Sequence, residues 1–288
     1  MAKYVTLLWL FFSPVYICAA PIKYIDNTDS VDKHGVYFIS LLKLALEKSK
    51  SQYGDFETQG VPVTMQQHRL FKSIDSGLID LMWTVTSTQR EQEALAIRIP
   101  LLKGLIGHRV FVIKKDREPE FKQISSLVQL SVLSAIQSHD WPDVAILENA
   151  GLKVEKFNSH SSMYKLLANN NVDYFPRSLL EVVEEMERNA DDTLMINPHH
   201  MLVYPSAIYF FVSKKNTALA QRIEYGLNAA IKDGSFDQHF YSYSGHAKAL
   251  KGLTLRNRTV FRIDNPLMPE STPIQNKSLW LDIERIPD

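Results

Sequence analysis

Arg90 stands inside a sequence pattern that normally begins a helix. The segment Trp83–Glu91 reads WTVTSTQRE, and Thr88 with Glu91 three residues later has the spacing of a capping box. This spacing predicts that Thr88 is the N-cap and that Arg90 is the second helical residue. The start of a helix behaves as a partial positive charge, so an exposed cation there costs about 0.3–1 kcal/mol. We therefore expect an anionic group to compensate Arg90.

Arg177 occupies a second position of the same kind. In the segment VDYFPRSLLEVVEE, Ser178 and Glu181 have capping-box spacing, and Arg177 comes directly before Ser178. The segment begins with a predicted strand, Val172–Phe175. Ligands of open α/β sheets bind at the carboxyl ends of strands, where the following helices begin. The pattern therefore predicts that Arg177 and Ser178 face a ligand crevice.

A third predicted helix start supplies further polar groups. It lies at Asp140, with Pro142 just inside the helix, and it follows the polar residues Gln137, Ser138 and His139. Arginine can bind a carboxylate through two parallel hydrogen bonds. Three helix starts and two guanidinium groups therefore predict an anion-binding site.

The same arginines also have a purely structural interpretation. Arg90 could pair with a neighbouring glutamate, Glu91 or Glu93. Arg177 could pair with Glu181 in the same way. Such exposed ion pairs stabilise a protein by less than about 1 kcal/mol.

Two further candidates also have alternative roles. His139 could be a loop or capping residue instead of a ligand contact. Trp83 ends a predicted strand, so its side chain could pack in the core or form one wall of a ligand site. The residue pattern alone leaves both alternatives open.

The overall composition excludes several classes of protein. The chain has 288 residues, of which 45% are hydrophobic and 22% are charged, which is typical of a globular protein. Its 32 Lys and Arg residues balance 32 Asp and Glu residues, so no net charge attracts nucleic acid or an anionic membrane. Cys18 is the single cysteine, the histidines are scattered, and stock catalytic motifs are missing. We expect no metal, no cofactor and no catalytic centre.

Residues 1–20 are predicted to be a secretory signal peptide. Lys3 precedes an apolar run from Tyr4 to Ile17, and small residues follow just before Pro21. The run is short for a membrane span and Pro14 interrupts it, although an uncleaved anchor is the alternative. The pattern predicts export, to the periplasm in a Gram-negative cell.

The rest of the chain alternates between strand-like and helix-like segments. This alternation predicts an α/β fold of mostly parallel sheets with helices on both faces, followed by an irregular tail from about Gly252. The predicted strands are Ile22–Ile25, Leu78–Trp83, Val110–Ile113, Leu130–Ile136, Val154–Phe157, Val172–Phe175, Leu194–Ile196 and Ile208–Val212. The predicted helices are Val36–Lys48, Gln67–Ser76, Trp141–Asn149, Ser162–Ala168, Leu179–Arg188 and Leu219–Lys232.

The order of these motifs resembles the type 2 periplasmic solute-binding proteins, in particular the polar amino-acid-binding branch of extracellular solute-binding protein family 3. The matching segments are Trp83–Glu91, Ile97–Leu101, Arg109–Ile113, the pair Val172-Asp173 and the helix Leu219–Ser235. The resemblance covers nearly all of residues 21–245. It implies two lobes, each a mostly parallel sheet flanked by helices, that close on a ligand.

The resemblance also implies where one lobe ends and the other begins. Residues 21–111 and 204–288 would form lobe 1, and residues 112–203 would form lobe 2. Two crossover segments, near Phe111–Lys114 and Pro198–Pro205, would act as the hinge.

By the same resemblance, Arg90 holds the carboxylate of the ligand. Because the spacing from Thr84 to Arg90 is one residue longer than usual, either Thr84, Val85 or Thr86 could take the adjoining contact. The loop that contains Ser134, Gln137, Ser138 and His139 would be the ligand-facing helix start of the second lobe.

One departure from the family pattern bears on the ligand. An acidic residue normally follows the Val-Asp strand and receives the α-amino group of the ligand, but here the positions are Phe175-Pro176-Arg177-Ser178. A guanidinium repels an ammonium group, and one hydroxyl carries no charge to hold it. We therefore expect a small anionic ligand, such as an organic acid, in place of an ordinary amino acid.

The resemblance implies a non-catalytic binding protein that acts as a monomer with a membrane permease or a sensor. Two alternatives remain open at this point. The chain could be a sensory or interaction module that kept the fold but binds no ligand, or an enzyme on the same two-lobed scaffold.

Overall fold

The computed structural model describes residues 20–26, 34–62, 67–189, 191–251, 255 and 257–282. The predicted signal peptide, apart from Ala20, lies outside the described residues. Within the described part of the chain, none of the helices has the length and apolar character needed to cross a lipid bilayer. The strands are β1 (Ile22–Ile25), β2 (Thr58–Val61), β3 (Leu81–Val85), β4 (Leu95–Ile97), β5 (His108–Lys114), β6 (Ser134–Ser138), β7 (Lys153–Phe157), β8 (Phe175–Ser178), β9 (Leu194–Ile196), β10 (His200–Val203), β11 (Ile208–Val212) and β12 (Thr259–Arg262).

The helices alternate with these strands over most of the chain. They are α1 (His34–Tyr53), α2 (Gln67–Asp75), α3 (Thr88–Glu93), α4 (Glu118–Phe121), α5 (Leu127–Leu130), α6 (Pro142–Asn149), α7 (His160–Ala168), α8 (Val182–Asn189), α9 (Thr217–Lys232), α10 (Ser235–Ser242) and α11 (Ser244–Lys251). Gly234, with φ at 81°, provides the left-handed turn between α9 and α10.

The first sheet has the strand order β2-β1-β3-β11-β4. β1 pairs in parallel with β2 and β3, whereas β11 pairs antiparallel with β3 and β4. β11 reads IYFFV and is buried over four of its five residues, as expected for a strand that is covered on both faces. Helices α1 and α9 pack against each other, and α9 also contacts β4 and β11. These elements form the first lobe.

The second sheet has the order β12-β10-β5-β8, and β9 also pairs with β5. The parallel pair β6 and β7 joins its neighbourhood through a bridge between Ala135 and Tyr174. Among the residues that the structure describes, β11 is the strand of the first sheet that is antiparallel to its neighbours, and β5 has the same orientation in the second sheet. The other strands of each sheet point in one common direction. The prediction of two mostly parallel sheets is confirmed.

The chain crosses from the first sheet to the second through residues 98–107, between β4 and β5, and returns through residues 204–207, between β10 and β11. It crosses to the second sheet again between β11 and β12. β5 lies entirely in the second sheet, whereas the predicted boundary at residue 111 would divide it. The C-terminal region is more regular than predicted, because β12 adds a parallel strand to β10 and so extends the second sheet. The bounds of the lobes themselves stay a prediction.

Three strands are displaced from their predicted positions. The predicted strand Leu78–Trp83 is observed as β3, Leu81–Val85. The predicted strand Leu130–Ile136 begins later, at Ser134, because the side chains of Ser126 and Gln129 form a capping box that starts α5. The predicted strand Val172–Phe175 is replaced by β8, which pairs with β5. Arg177 and Ser178 therefore belong to a sheet and do not precede a helix directly.

Candidate functional site

A cleft of about 660 Å³ lies between the two lobes. Its walls are formed by the start of α3, the start of α6, the connection after β10 and part of the C-terminal region. We call residues 257–282 the C-terminal strap. The lining residues are Val85, Thr86, Ser87, Thr88, Gln89, Arg90, Gln92, Arg109, His139, Asp140, Trp141, Pro142, Asp143, Val144, Ala145, Ile146, Glu148, Tyr204, Ser206, Asn265, Pro266 and Leu267. A larger cavity of about 1060 Å³ lies behind the connections and contains none of the predicted site residues.

The helix that carries Arg90 begins one residue earlier than predicted. Ser87 is the N-cap, and its hydroxyl accepts a hydrogen bond of 3.2 Å from the backbone N–H of Arg90. The predicted capping box of Thr88 and Glu91 is wrong. Glu91 instead accepts hydrogen bonds from the guanidinium of Arg98, at 2.6 and 3.0 Å.

Arg90 lines the cleft and is oriented by the end of β3. Its Nη1 donates to Thr84 Oγ1 at 3.1 Å and to the carbonyl oxygen of Val85 at 2.5 Å. Both acceptors are uncharged. Burial lowers the pKa of Arg90, and the nearby Glu93 only partly opposes this effect.

The threonines beside Arg90 have different positions. Thr84 is buried and supports Arg90 from behind, whereas Thr86 lines the cleft. The Thr86 hydroxyl donates to Glu91 Oε1 at 2.8 Å, and its backbone N–H donates to the carbonyl of Ala207 at 2.8 Å. Val85 and Thr86 therefore line the cleft, whereas Thr84 holds the Arg90 side chain in position.

Trp83 packs among other aromatic rings of the first lobe. Its ring is stacked on Phe38, with a distance of 5.3 Å between the centroids, and meets Phe210 edge-on. It is not among the residues that line the cleft. The structure therefore supports the packing interpretation of Trp83.

The second lobe contributes part of the predicted loop to the cleft. His139 and Asp140 line it and are exposed, and Asp140 accepts a hydrogen bond of 2.6 Å from the Ser138 hydroxyl. Gln137 is buried and donates to the carbonyl of Pro176 at 3.2 Å. Gln137 and Ser138 therefore lie in the protein interior, next to the residues that line the cleft.

Ser134 lies at the opposite end of β6 from the cleft. Its backbone N–H and its hydroxyl donate to Asp173 Oδ2 at 2.6 and 3.0 Å. The placement of Ser134 in the site is wrong, because Ser134 is the first residue of β6 and the cleft begins after its last residue, Ser138.

Arg177 is also absent from the cleft lining. Its Nε and Nη2 donate to the two carboxylate oxygens of Glu185 at 2.7 and 2.6 Å, and Nη2 also contacts Glu181 at 2.9 Å. Its guanidinium lies 4.6 Å from the ring centroid of Trp141. Burial acts to lower the pKa of Arg177, but the two glutamates outweigh it and raise that pKa.

The predicted role of Arg177 and Ser178 as a second anion site is therefore corrected. Ser178 is fully buried, and its hydroxyl accepts a hydrogen bond of 3.3 Å from the backbone N–H of Leu180. Arg177 pairs with Glu181 within the second lobe, as the structural interpretation held, through a single contact to a partly exposed carboxylate. Its pair with Glu185, which was not predicted, is buried and bidentate.

Sequence reasoning missed a buried network at the floor of the cleft. Arg109 Nη2 lies 2.9 Å from Asp143 Oδ1, and Arg109 Nε donates to the Tyr204 hydroxyl at 2.7 Å. The Tyr204 hydroxyl in turn donates to Asp143. Asp143 and Glu181 outweigh the effect of burial on Arg109 and raise its pKa. The available signal was a cation, Arg109, directly before the apolar residues Val110–Ile113 of a buried strand.

The charged side chains that line the cleft come from both lobes. Among the described residues, Arg90 and Arg109 are the guanidinium groups that line it, and Arg109 is paired with Asp143. Asp140 and Glu148 belong to the opposite wall. Within the part of the chain that is described, no group of three or more His, Cys, Asp or Glu residues could hold a metal ion.

Comparisons with known proteins give the fold. No protein-family model and no curated protein matches the chain. Over 79% of its length it is similar to the structure of an ancestral arginine-binding protein bound to arginine, covering 99% of that chain with 18% identity and a TM-score of 0.54. It is also similar to a histidine kinase sensor domain with similarity to periplasmic binding proteins, covering 78% of this chain and 96% of that one, with 15% identity and a TM-score of 0.55.

A third similar structure is the GluR0 ligand-binding core from Nostoc punctiforme in complex with L-glutamate. The match covers 78% of this chain and 100% of that one, with 11% identity and a TM-score of 0.52. Identities this low establish similarity of fold. The chain therefore has the two-lobed α/β fold of the periplasmic binding proteins.

Proposed function

We propose that this chain is a non-catalytic solute-binding protein, a divergent relative of the polar amino-acid-binding branch, that holds a small carboxylate-bearing ligand between its lobes. The observation that carries the proposal is the position of Arg90. Its guanidinium lines the inter-lobe cleft and is oriented by two uncharged oxygens, those of Thr84 and Val85. A carboxylate placed there would gain a charge-assisted, bidentate contact.

The preference for an anionic ligand rests on the rest of the cleft. The positions that would hold an ammonium group in the family pattern are Arg177 and Ser178, and both are buried outside the cleft. The carboxylates that line the cleft are each engaged within the protein: Asp143 by Arg109 and Tyr204, Asp140 by the Ser138 hydroxyl and Glu148 by Lys156. These contacts support a ligand whose main polar group is a carboxylate.

Ligand binding in a two-lobed protein shifts its population toward the closed form, because a ligand that touches both lobes binds that form more tightly. A membrane permease or a sensor would then recognise the closed form. The sensor domain among the similar structures supports the second possibility. We place this step in the periplasm, since residues 1–20 have the pattern of a signal peptide.

Isothermal titration of the purified protein with panels of amino acids and organic acids tests the proposal. We expect organic acids to bind without turnover, and Arg90→Gln to abolish binding while changing the melting temperature of the ligand-free protein little. Arg98→Gln is the matched control, because Arg98 is an exposed guanidinium that pairs with Glu91 outside the cleft. Its binding should equal that of the unmodified protein.

Four results would contradict the proposal. A clear preference for zwitterionic or cationic amino acids would exclude the anionic ligand. Turnover of a bound acid would favour an enzyme, and no response to any small molecule would favour an interaction module. A large loss of stability in ligand-free Arg90→Gln would assign Arg90 a structural role.

A further inference from the structure

The cavity of about 1060 Å³ behind the connections, which we call the rear cavity, lies on the other side of β5 and β10 from the cleft. His108 of β5 and Val203 of β10 line the rear cavity, whereas the residues that follow them, Arg109 and Tyr204, line the cleft. Successive residues of a strand point to opposite faces, so the same two strands separate the two spaces. A ligand in the rear cavity would therefore not contact Arg90.

The floor of the rear cavity belongs to the second lobe. Arg262 of β12, Val203 of β10 and His108 of β5 are paired directly across three neighbouring strands, so their side chains share one face. His108 Nδ1 donates to the carbonyl of Gly104 at 3.1 Å. Burial lowers the pKa of His108 to about 4, and this hydrogen bond only partly opposes the effect, so the ring is neutral at pH 7. Arg262 therefore has uncharged neighbours along this row.

The opposite wall belongs to the first lobe and to the end of the C-terminal strap. Lys103 Nζ donates to Asp237 Oδ1 at 2.7 Å and to the carbonyl of Ser278 at 3.3 Å. Asp237 is part of α10, which packs against α9. The backbone N–H of Leu281 donates to the carbonyl of Lys103 at 2.7 Å. Lys277, next to Ser278, is therefore held on the side of the first lobe.

Cationic side chains outnumber carboxylates around the rear cavity. The cations among the described lining residues are Lys103, Arg258, Arg262 and Lys277, and the carboxylates are Asp237 and Asp282. Arg262 and Lys277 are exposed, and within the described part of the chain neither side chain has a hydrogen bond or an ion pair. Each side of the rear cavity thus presents one cation that is available to an anion.

From this arrangement we propose that the rear cavity is a second binding site, which takes a small multivalent oxyanion with phosphate or carboxylate groups. One charged group of the ligand contacts Arg262 and another contacts Lys277, so the ligand spans both lobes. A guanidinium can bind an oxyanion group through two parallel hydrogen bonds, and a lysine ammonium adds a compact charge. Neither residue lines the cleft, so the inference goes beyond the proposed function and does not depend on it.

Titration calorimetry at pH 7 with pyrophosphate and citrate tests the inference, and the tighter of the two shows whether the site prefers phosphate or carboxylate groups. We expect at least one of them to bind, and acetate, which has a single charge, to bind at least tenfold more weakly. Arg262→Gln and Lys277→Gln should each weaken binding of the multivalent anion about fivefold, because each removes one exposed charged contact. Both positions are exposed, so both variants should fold.

Arg188→Gln and Lys122→Gln are the matched controls, because both residues are exposed cations outside the rear cavity. Their binding should equal that of the unmodified protein. The inference is wrong if neither pyrophosphate nor citrate binds, or if the control variants weaken binding as much as the rear-cavity variants do. It is also wrong if only one of Arg262→Gln and Lys277→Gln has an effect, since the ligand then does not span the lobes. Loss of binding in Arg90→Gln, with both rear-cavity variants unaffected, would place the anion in the cleft instead.

Discussion

A buried guanidinium keeps its charge at low cost only where carboxylates replace the water it has lost. Arg177 meets this condition, because Glu185 contacts it with both oxygens and Tyr164 donates to the same carboxylate at 2.8 Å. Arg90 lines the cleft and donates hydrogen bonds to Thr84 and Val85, and burial lowers its pKa. The two arginines therefore have different roles, one within the second lobe and one toward the cleft.

Replacement of Arg177 should destabilise the protein strongly. Glu185 is only 5% exposed, so Arg177→Met leaves a buried carboxylate without its guanidinium. We expect a loss of about 3–5 kcal/mol in the free energy of unfolding, measured by urea denaturation. Lys248→Met, which breaks an ion pair with Glu187 whose two side chains are 47% and 62% exposed, should cost less than about 1 kcal/mol.

The double variant Arg177→Met with Glu185→Met separates the lost charge pair from lost packing. Because it removes both charges, it should be more stable than Arg177→Met alone. If the double variant is the less stable of the two, the guanidinium stabilises the lobe mainly through its contacts with Trp141 and Phe175.

At the scale of elements, the first lobe depends on one very close helix contact. α9 crosses α1 at Gly226, where an added Cβ atom would come 1.8 Å from the carbonyl oxygen of Ala45. The obstructing atom belongs to the backbone of a helix, so it cannot rotate away as a side chain could. Only glycine allows the two helices to approach this closely.

Gly226→Ala should therefore destabilise the protein although alanine favours helices. The gain in helix propensity is about 1 kcal/mol, whereas overpacking typically costs about 1–3 kcal/mol and is larger against a rigid backbone. We expect a net loss of about 2 kcal/mol in urea denaturation. Asn228→Ala, at an exposed position of the same helix, should be neutral or slightly stabilising. Equal stability of the two variants would show that the helices can move apart freely.

Local signals predicted the elements that depend on local structure. The apolar spacing of Leu219–Lys232 and the glycine after it placed α9 within two residues of its observed start at Thr217. β4 and β10 were missed, and both are held by strands from distant parts of the sequence, β4 by β11 and β10 by β5. Pairing of that kind leaves no periodic pattern to detect.

The same distinction explains the candidate site. Arg90 could be predicted because its position relative to a helix start is a local property, even though the cap is Ser87 and not Thr88. The network of Arg109, Asp143 and Tyr204 joins a strand, a helix and a connection that only the fold brings together. Arg177 was misplaced because the strand after which it was expected forms three residues later and includes it.

At the scale of the whole molecule, the lobes are joined by more than the two connections expected of the fold. The C-terminal strap is bound to the second sheet through β12 and to the first lobe through Thr88 and through Lys103, whose carbonyl accepts from the backbone N–H of Leu281 at 2.7 Å. Opening the cleft would have to stretch or break one of these attachments. The strap should therefore limit how far the lobes separate when the site is empty.

Thr88→Pro tests whether the strap limits lobe opening, because it removes one hydrogen bond, from the Thr88 N–H to the Leu267 carbonyl. Thr88 is the first residue of α3, a position where proline is well tolerated, and Ser87 before it already has the extended backbone that a following proline requires. The substitution therefore removes the N–H that donates to Leu267 and leaves the helix intact. Since one hydrogen bond contributes about 1 kcal/mol, hydrogen exchange of residues 264–272 should accelerate about fivefold, while β12 stays protected.

The lobes should respond to the same change. Small-angle scattering of ligand-free Thr88→Pro should show a larger radius of gyration than that of Thr88→Ser, which retains the N–H. A saturating carboxylate should remove the difference, because the closed form is held by ligand contacts from both lobes. Faster exchange in the strap with an unchanged radius of gyration would mean that β12 and the Lys103 contact restrain the lobes without the Thr88 bond. Unchanged exchange would mean that the Thr88 bond does not hold the strap in solution.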